Sequence, residues 1–341
     1  MNFLRLALVL LACVSVETAF VLGEQGFFKG RLFQRRKPVN NNVIINQVDN
    51  SKADLGRLLE GVKKISSPGT PGYLSVFGPD SLILAYGVAG ENLHMPAVAT
   101  GKIGKGKMVA FGHEGYLGDI PTIQEWDTAR LINNCIKWLA PTGDSKKLLH
   151  IGNERTINGL SSLGYELEKA DLDNLDPSRV LVIQEGGLSP EKVDKVISFV
   201  RHGGGFITSS TGWGWLQLNP GKTLLMDHGA NLVLAKGGLV FGKGYLEDST
   251  ENGFLPNHET KPAFHATKAL EIAKTVAYGT KSFANAMEER TVSENLRIAL
   301  HEIPANDEYL LPNLKYFLKN APKDFLEQFP DFKAISDQLK N

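Results

Sequence analysis

The chain has 341 residues, of which 42% are hydrophobic, and it carries 37 basic and 37 acidic side chains for a formal net charge of zero. Zero net charge removes the simple electrostatic case for nucleic-acid binding. It also argues against a highly acidic mineral-binding protein. The length suffices for one large domain or two modest ones, each with its own hydrophobic core.

The first residues have the composition of a secretory signal peptide, which we predict over residues 1–19. Arg5 gives a short basic start, and an apolar run from Leu6 to Val14 is followed by small or polar residues. This run is too short for a membrane helix, and no later segment approaches the roughly 18 apolar residues that one requires. A buried N-terminal strand or helix is the alternative. We expect a secreted, extracellular chain without a membrane span.

Residues 20–42 are predicted to form an N-terminal arm. The arm contains the one local basic excess, Arg31 to Lys37, which is either a solvated stretch or a processing site at Arg35 and Arg36. Signal removal leaves Cys135 as the single cysteine, so no intramolecular disulfide can form. Because Cys135 lies in a predicted amphipathic helix, we expect a buried, inert thiol.

Apolar periodicity then predicts strands and helices in alternation. Short apolar runs are predicted as strands at 43–47, 73–77, 82–88, 97–100, 108–112, 148–151, 180–183, 206–208, 232–234 and 239–241. Helical spacing of apolar residues predicts helices at 53–65, 121–139, 156–163, 190–201, 266–278, 292–300 and 309–318.

These elements indicate an α/β fold with a mostly parallel sheet covered by helices on both faces. One departure is a β-hairpin, which the glycine-rich turn between 97–100 and 108–112 favours. We assign the α/β domain to residues 43–235 and a mixed, mainly helical C-terminal extension to residues 236–341.

Metal and cofactor motifs fail on their spacing. A zinc peptidase needs a second histidine four residues after the first, but the three His-Glu pairs are followed at that position by Leu117, Pro262 and Ala305. The sequence Gly221-Lys-Thr ends like a phosphate loop, yet Leu216 stands where the opening glycine belongs. No dinucleotide glycine pattern opens a helix. We therefore predict neither a metal nor a cofactor.

The best candidate site lies at two strand ends, because ligands of open α/β sheets collect at the carboxyl ends of strands. One end follows strand 108–112 and the other follows strand 206–208. The predicted ligand-binding residues are His113, Glu114, Tyr116, Trp213 and Trp215. Two indoles offer large rigid faces, which suit a glycan or a peptide.

The same strand ends permit a hydrolase, with Ser209 or Ser210 as nucleophile and His113, beside Glu114, as base. The Gly-x-Ser-x-Gly turn that would expose such a serine is missing. In the structural alternative, Ser209 and Thr211 cap the following helix and the indoles pack into the core.

These segments also resemble a known family. Residues 103–117, 131–139 and 203–215 are similar, in this order, to the N-terminal region of TRP-channel-associated factors and of enhancin-like, mucin-degrading zinc peptidases. The resemblance covers about residues 75–220. It implies a flavodoxin-like fold, as in class I glutamine amidotransferases, without the catalytic cysteine. The peptidase His-Glu-x-x-His motif is missing, and the predicted export signal differs from channel-associated factors, which act inside cells.

Together these features predict a secreted, non-enzymatic binding or matrix protein with a degenerate amidotransferase-like domain. Its partner would be an extracellular protein or glycan, in an ordinary or a mineralised matrix. The alternatives are the serine hydrolase and a structural protein whose partner surface lies in the C-terminal helices.

Overall fold

The computed structural model describes residues 41–90, 93–120, 126–140, 146–184, 187–259 and 261–339. The predicted signal peptide and nearly all of the predicted arm lie outside these residues. The strands are β1 (Ile65–Ser66), β2 (Gly72–Val76), β3 (Leu82–Ala89), β4 (Leu93–Ile103), β5 (Gly106–Phe111), β6 (Lys147–Ile151), β7 (Glu166–Lys169), β8 (Val180–Gln184), β9 (Gly205–Ser209), β10 (Leu239–Tyr245) and β11 (Gly253–Pro256).

One helix precedes the first strand, others lie between the later strands, and five follow the last strand among the described residues. They are α1 (Asn41–Leu58), α2 (Gly115–Gly118), α3 (Thr128–Leu139), α4 (Glu154–Ser162), α5 (Val193–Arg201), α6 (Gly212–Leu218), α7 (Gly229–Ala235), α8 (Ala266–Ala277), α9 (Ala286–Glu302), α10 (Leu311–Asn320), α11 (Lys323–Gln328) and α12 (Pro330–Gln338). A 3-10 turn, Pro190–Lys192, precedes α5. Within the described ranges, no helix has both the length and the apolar character needed to cross a bilayer.

The larger sheet has nine strands among the described residues, in the order β1-β11-β3-β4-β5-β9-β8-β6-β7, and β10 pairs with β2 in a second sheet. The α/β prediction is confirmed, and the sheet is mixed. In this spatial order, the neighbouring strands from β1 across to β5 pair antiparallel, and those from β5 across to β7 pair parallel. The predicted mostly parallel sheet is therefore realised only in the second half. The reason is that β3, β4 and β5 follow one another through short turns, which permit only antiparallel pairing.

Two predicted strands are helical in the structure. Residues 43–47 belong to α1, and residues 232–234 belong to α7. Branched apolar residues favour strands locally, but in α7 the tertiary surroundings override that preference. In α7, Ala230, Val233 and Leu234 are buried at helical spacing, a periodicity that a three-residue window is too short to reveal.

The boundary predicted at residue 235 does not separate two compact units. Strand β10 pairs with β2, and β11 lies between β1 and β3, so residues after 235 complete both sheets. One compact unit extends from Ile45 to Asn341. The helices predicted after residue 265 are present as α8, α9 and α10.

Successive side chains of the central strands point to opposite faces of the larger sheet, so each face has its own hydrophobic core. On β5, Met108 and Ala110 join the core that includes α5, α7 and the C-terminal helices. Their neighbours Val109 and Phe111 join the core that includes α1 and α3. Buried Cys135 belongs to the second core, as predicted, and burial raises the pKa of its thiol.

A buried carboxyl group connects the C-terminal helices to the smaller sheet. Glu302, at the end of α9, is only 7% exposed. Its Oε1 accepts hydrogen bonds from the Tyr73 hydroxyl at 2.9 Å and from the Lys243 backbone N–H at 3.2 Å. Burial raises the pKa of Glu302 above its ordinary value of 4.5, since the charged form loses its hydration.

This raised pKa predicts a pH dependence of stability. The folded chain binds the Glu302 proton more tightly than the unfolded chain, so the stabilisation is complete below pH 4.5 and is lost as pH rises through the folded-state pKa. In Glu302→Gln, the free energy of unfolding should fall less between about pH 5 and pH 8 than in the parent chain. Urea denaturation at both pH values measures the difference.

The exposed Glu308 provides the matched control. Glu308→Gln should retain the pH dependence of the parent chain. Identical pH dependence in the parent chain and in Glu302→Gln would contradict the assignment of this titration to Glu302.

Candidate functional site

The two predicted strand ends meet at one rim of the sheet. Strands β5 and β9 are parallel neighbours, and Phe111 at the end of one lies opposite Ser209 at the end of the other. The backbone N–H of Ser210 donates to the Phe111 carbonyl oxygen at 3.1 Å. The loops that carry the predicted site residues therefore begin side by side.

Close backbone packing at this rim requires glycine at two positions. A Cβ atom on Gly112 would lie 2.0 Å from the carbonyl oxygen of Gly72, and one on Gly212 would lie 2.2 Å from that of Gly242. The Gly72 N–H also donates to the Gly112 carbonyl oxygen at 2.7 Å. Both loops are thus pressed against the smaller sheet.

A side-chain hydrogen bond joins the two loops. The Thr211 hydroxyl donates to Glu114 Oε2 at 2.7 Å. Beside it, His113 Nε2 lies 3.7 Å from Glu114 Oε1, and His113 Nδ1 accepts from the Gly115 N–H at 2.9 Å. Burial lowers the pKa of His113, although the Glu114 carboxylate opposes that shift. The hydrogen bond between Thr211 and Glu114 thus holds the loop after β9 against the loop after β5.

Only part of the predicted ligand surface is accessible. Tyr116 is fully buried with its ring 5.3 Å from that of Phe111, and Trp215 is 5% exposed with its ring 5.0 Å from that of His228. Trp213 remains partly exposed, and its Nε1 donates to the Thr70 carbonyl oxygen at 3.2 Å. Of the five predicted ligand-binding residues, only His113, Glu114 and Trp213 are therefore partly accessible to solvent.

The serines of the hydrolase alternative do not contact the predicted base. Ser209 and Ser210 are both fully buried, and neither hydroxyl forms a hydrogen bond with His113 in the part of the chain that the structure describes. The Ser210 Oγ lies instead 3.0 Å from His228 Nε2. The Ser209 hydroxyl has no hydrogen-bond partner among the described residues.

The hydrogen bonds of His228 determine what this pair can do. His228 caps the N-terminus of α7, with its Nδ1 accepting the Asn231 N–H at 3.1 Å. A neutral imidazole has one N–H, so Nε2 carries the proton and donates it to Ser210 Oγ. Burial lowers the pKa of His228 to about 4, which keeps the ring neutral. An Nε2 that donates cannot remove the serine proton, so this pair is not a nucleophile with its base.

Sequence reasoning missed His228. The available signal was a polar residue directly before the apolar run of α7, the position where a helix cap is expected. Histidine is an uncommon cap, and the wrong strand prediction for residues 232–234 concealed the helix that it caps.

The other His-Glu pairs have structural contacts. His258 Nε2 lies 2.8 Å from the Val62 carbonyl oxygen, and His301 Nε2 lies 3.0 Å from Gln338 Oε1. Over the described ranges, no group of three or more His, Cys, Asp or Glu residues is placed to hold a metal ion.

A large groove lies away from the rim, between α5, α7 and the segment 304–309. Its volume is about 1140 Å³, and its apolar walls include Val193, Ile197 and Leu232. Met226, in the loop before α7, lines the groove and is 71% exposed. Exposed apolar surface of this kind often marks a binding site.

Charged side chains also line the groove. The Tyr309 hydroxyl donates to the Lys236 carbonyl oxygen at 3.3 Å, and the charges of Asp80 and Arg201 both act on Tyr309. All four residues line the groove. Both signs of charge are therefore present beside an apolar channel.

The fold and the rim define an α/β domain whose strand-end serine serves as a hydrogen-bond acceptor. Residues 14–255 match the family model TCAF_N, described as "TRPM8, N-terminal domain". This match covers well over half of the chain, so the chain belongs to the TCAF_N family. The match confirms the resemblance to TRP-channel-associated factors, and it begins inside the predicted signal segment.

Relatives with sequence similarity carry the name TRPM8 channel-associated factor. Factor 2 of Bos taurus is 26% identical over 248 residues, which cover 71% of this chain and 25% of that protein. Factor 3 of Rattus norvegicus is 24% identical over 255 residues, covering 73% and 26%. A homologue of Danio rerio is 26% identical over 194 residues, covering 56% and 20%. The chain thus spans about a quarter of the length of these relatives.

Solved structures with similarity include two of the IMPa metallopeptidase. The complex with T-antigen has a TM-score of 0.45 at 16% identity, covering 87% of this chain and 35% of that one. The Pseudomonas aeruginosa enzyme with an O-glycopeptide has a TM-score of 0.46 at 14% identity, covering 86% and 34%.

Neighbouring serines give a test of the hydrogen-bond roles. Ser210→Ala should lower the free energy of unfolding by about 1–3 kcal/mol, because it leaves the buried Nε2–H of His228 without an acceptor. Ser209→Ala removes a hydroxyl that has no partner among the described residues, so it should be neutral or stabilising. Urea denaturation compares the two variants with the parent chain. A larger loss in Ser209→Ala than in Ser210→Ala would contradict these roles.

Proposed function

We propose that the chain is a non-enzymatic protein-binding module whose partner is a membrane channel of the TRPM8 type. Membership of the TCAF_N family supports a channel partner, because the related proteins are named for association with TRPM8. A glycan partner has no comparable support. The observation that carries the proposal is the exposed apolar groove beside α5 and α7.

The hydrogen bonds at the rim support a non-enzymatic role. Ser210 accepts from His228, and His113 Nδ1 is engaged by the Gly115 backbone. Neither imidazole is placed to activate a strand-end hydroxyl. The serine hydrolase using Ser209 or Ser210 with His113 therefore has no support in the arrangement of these groups.

We further infer that the parallel half is a variant of the flavodoxin-like fold of class I glutamine amidotransferases. Counted from β6, the strand order β7-β6-β8-β9 is second, first, third, fourth, which is the flavodoxin order over four strands. The next position is occupied by β5, which comes earlier in the chain. At the end of β9, where a nucleophile would stand, the chain has Ser209 and Ser210.

The dimensions of the groove suit a helix of the partner. Pro190 and Arg201 both line it, and their separation along a helix is about 17 Å, or three turns. Apolar walls of this length favour an amphipathic helix laid with its apolar face inward. Charged residues on the groove wall, among them Asp80, Arg201 and Lys236, would pair with charges on that helix and so favour one orientation.

We also propose that the mature chain is exported, on the strength of the predicted signal at residues 1–19, and so meets the part of the channel outside the cell. N-terminal sequencing of chain recovered from the medium of expressing cells should begin after Thr18, Ala19 or Gly23. Chain retained in the cells with its first residues intact would contradict export.

Binding to the purified TRPM8 channel in lipid nanodiscs tests the proposal. Met226→Glu places a charge on the apolar wall of the groove, so we expect at least a tenfold loss of affinity, about 1.4 kcal/mol or more. Biolayer interferometry with the full chain measures the affinity.

Leu218→Glu is the matched control, because Leu218 is 80% exposed and does not line the groove. This variant should bind as the parent chain does. If Trp213→Ala loses affinity for the channel and Met226→Glu does not, the binding surface lies at the rim and not at the groove. No binding of the parent chain would overturn the channel as partner.

A further inference from the structure

A second pocket lies where the direction of strand addition reverses. Strand β6 has β7 on one side and β8 on the other. The chain reaches β7 through helix α4 and then reaches β8 through the segment 170–179, which has no helix. When consecutive connections leave a parallel sheet in opposite directions, their loops separate and a crevice opens at the carboxyl ends of the strands. The carboxyl ends of β6 and β7 belong neither to the groove nor to the rim.

The structure has a pocket of about 450 Å³ at this crevice. His150 and Gly152 at the end of β6, Lys169 at the end of β7, and Ser189 and Lys192 after β8 all line it. The volume falls within the range of sites for small molecules.

The charges around the pocket leave ammonium groups available. Asp171 accepts the Asp173 N–H at 2.9 Å and the Asn174 amide at 2.6 Å, so both of its oxygens are engaged. Asp173 is paired with Lys195. In contrast, Lys169 and Lys192 make no ion pair within the described ranges. Asp171 keeps its negative charge, since the hydrogen bonds from Asn174 and Asp173 lower its pKa. The pocket lining therefore has three lysines against two aspartates, which is an excess of one positive charge.

The imidazole of His150 is a further polar group at this pocket. His150 lines the pocket, and its Nδ1 atom is buried without a hydrogen-bond partner among the described residues. Burial lowers the pKa of His150, and the charge of Lys169 lowers it further. A neutral imidazole can donate one hydrogen bond to a bound anion. Because Nδ1 is buried, the hydrogen bond from His150 to a ligand in the pocket would come from Nε2.

We propose that this pocket binds a small soluble ligand that carries a phosphate group, held by the ammonium groups of Lys169 and Lys192 and by the imidazole of His150. The proposal is independent of the groove and of the channel partner. It gives the domain a ligand that could be bound while a protein occupies the groove.

Isothermal titration of the full chain with inorganic pyrophosphate tests the proposal, at an ionic strength held constant with sodium chloride. The parent chain should bind saturably. The double variant Lys169→Gln, Lys192→Gln should lose at least tenfold in affinity, and His150→Gln should lose affinity as well. Lys222→Gln is the control, since Lys222 is exposed and lies outside the pocket. The thermal midpoint of each variant without ligand verifies that it is folded.

Equal affinity in the parent chain and the double variant would overturn the proposal, as would a heat signal that sodium chloride reproduces. A lipid headgroup has the same chemistry, so a second arm uses phosphatidylcholine vesicles with and without a phosphoinositide. Binding to phosphoinositide vesicles with no response to pyrophosphate would overturn the soluble ligand. Competition of pyrophosphate with nucleoside diphosphates at the pocket would support it.

Discussion

The parallel pairing of β5 with β9 is the constraint on which the rest of the structure depends. It joins the antiparallel half of the larger sheet to the parallel half. Its register places Phe111 opposite Ser209, so the two following loops begin at one rim. Alternation along the same two strands feeds one hydrophobic core on each face. A slip of one residue would exchange the two faces and separate the loops.

This register also decides the chemistry of the rim. It buries Ser209 and Ser210, and it brings the second of them to the imidazole that caps α7. The cap uses Nδ1 of His228, which assigns the proton to Nε2 and makes the serine an acceptor. A position that could carry a nucleophile in a related fold thereby becomes part of the packing. The binding surfaces that we propose lie elsewhere, at the groove beside α5 and at the crevice beyond β6.

Much of the fold could be predicted from local patterns, and much of the site could not. The hairpin of β4 and β5, the strand ends and the helix begun at Pro190 follow from apolar periodicity and turn residues. Local patterns left the burial of Trp215 open, with packing of the indoles as one alternative, because that burial depends on β2 and β10, which pack against α6 from distant parts of the chain. Tyr116 is buried where α2 packs against α4 and β9. The Ser210–His228 contact joins residues whose helix was misread as a strand. The groove combines residues from several separate stretches of sequence, and no local signal marks it.

The central claim is that the strand-end serine accepts a hydrogen bond from a neutral His228. Nitrogen-15 NMR of the histidine-labelled chain tests it most directly, since the shifts of the two ring nitrogens report tautomer and charge. The account predicts a neutral His228 with its proton on Nε2, unchanged until the pH falls to about 4. A proton on Nδ1, or a charged ring near neutral pH, would contradict it and would restore Ser210 as a candidate nucleophile.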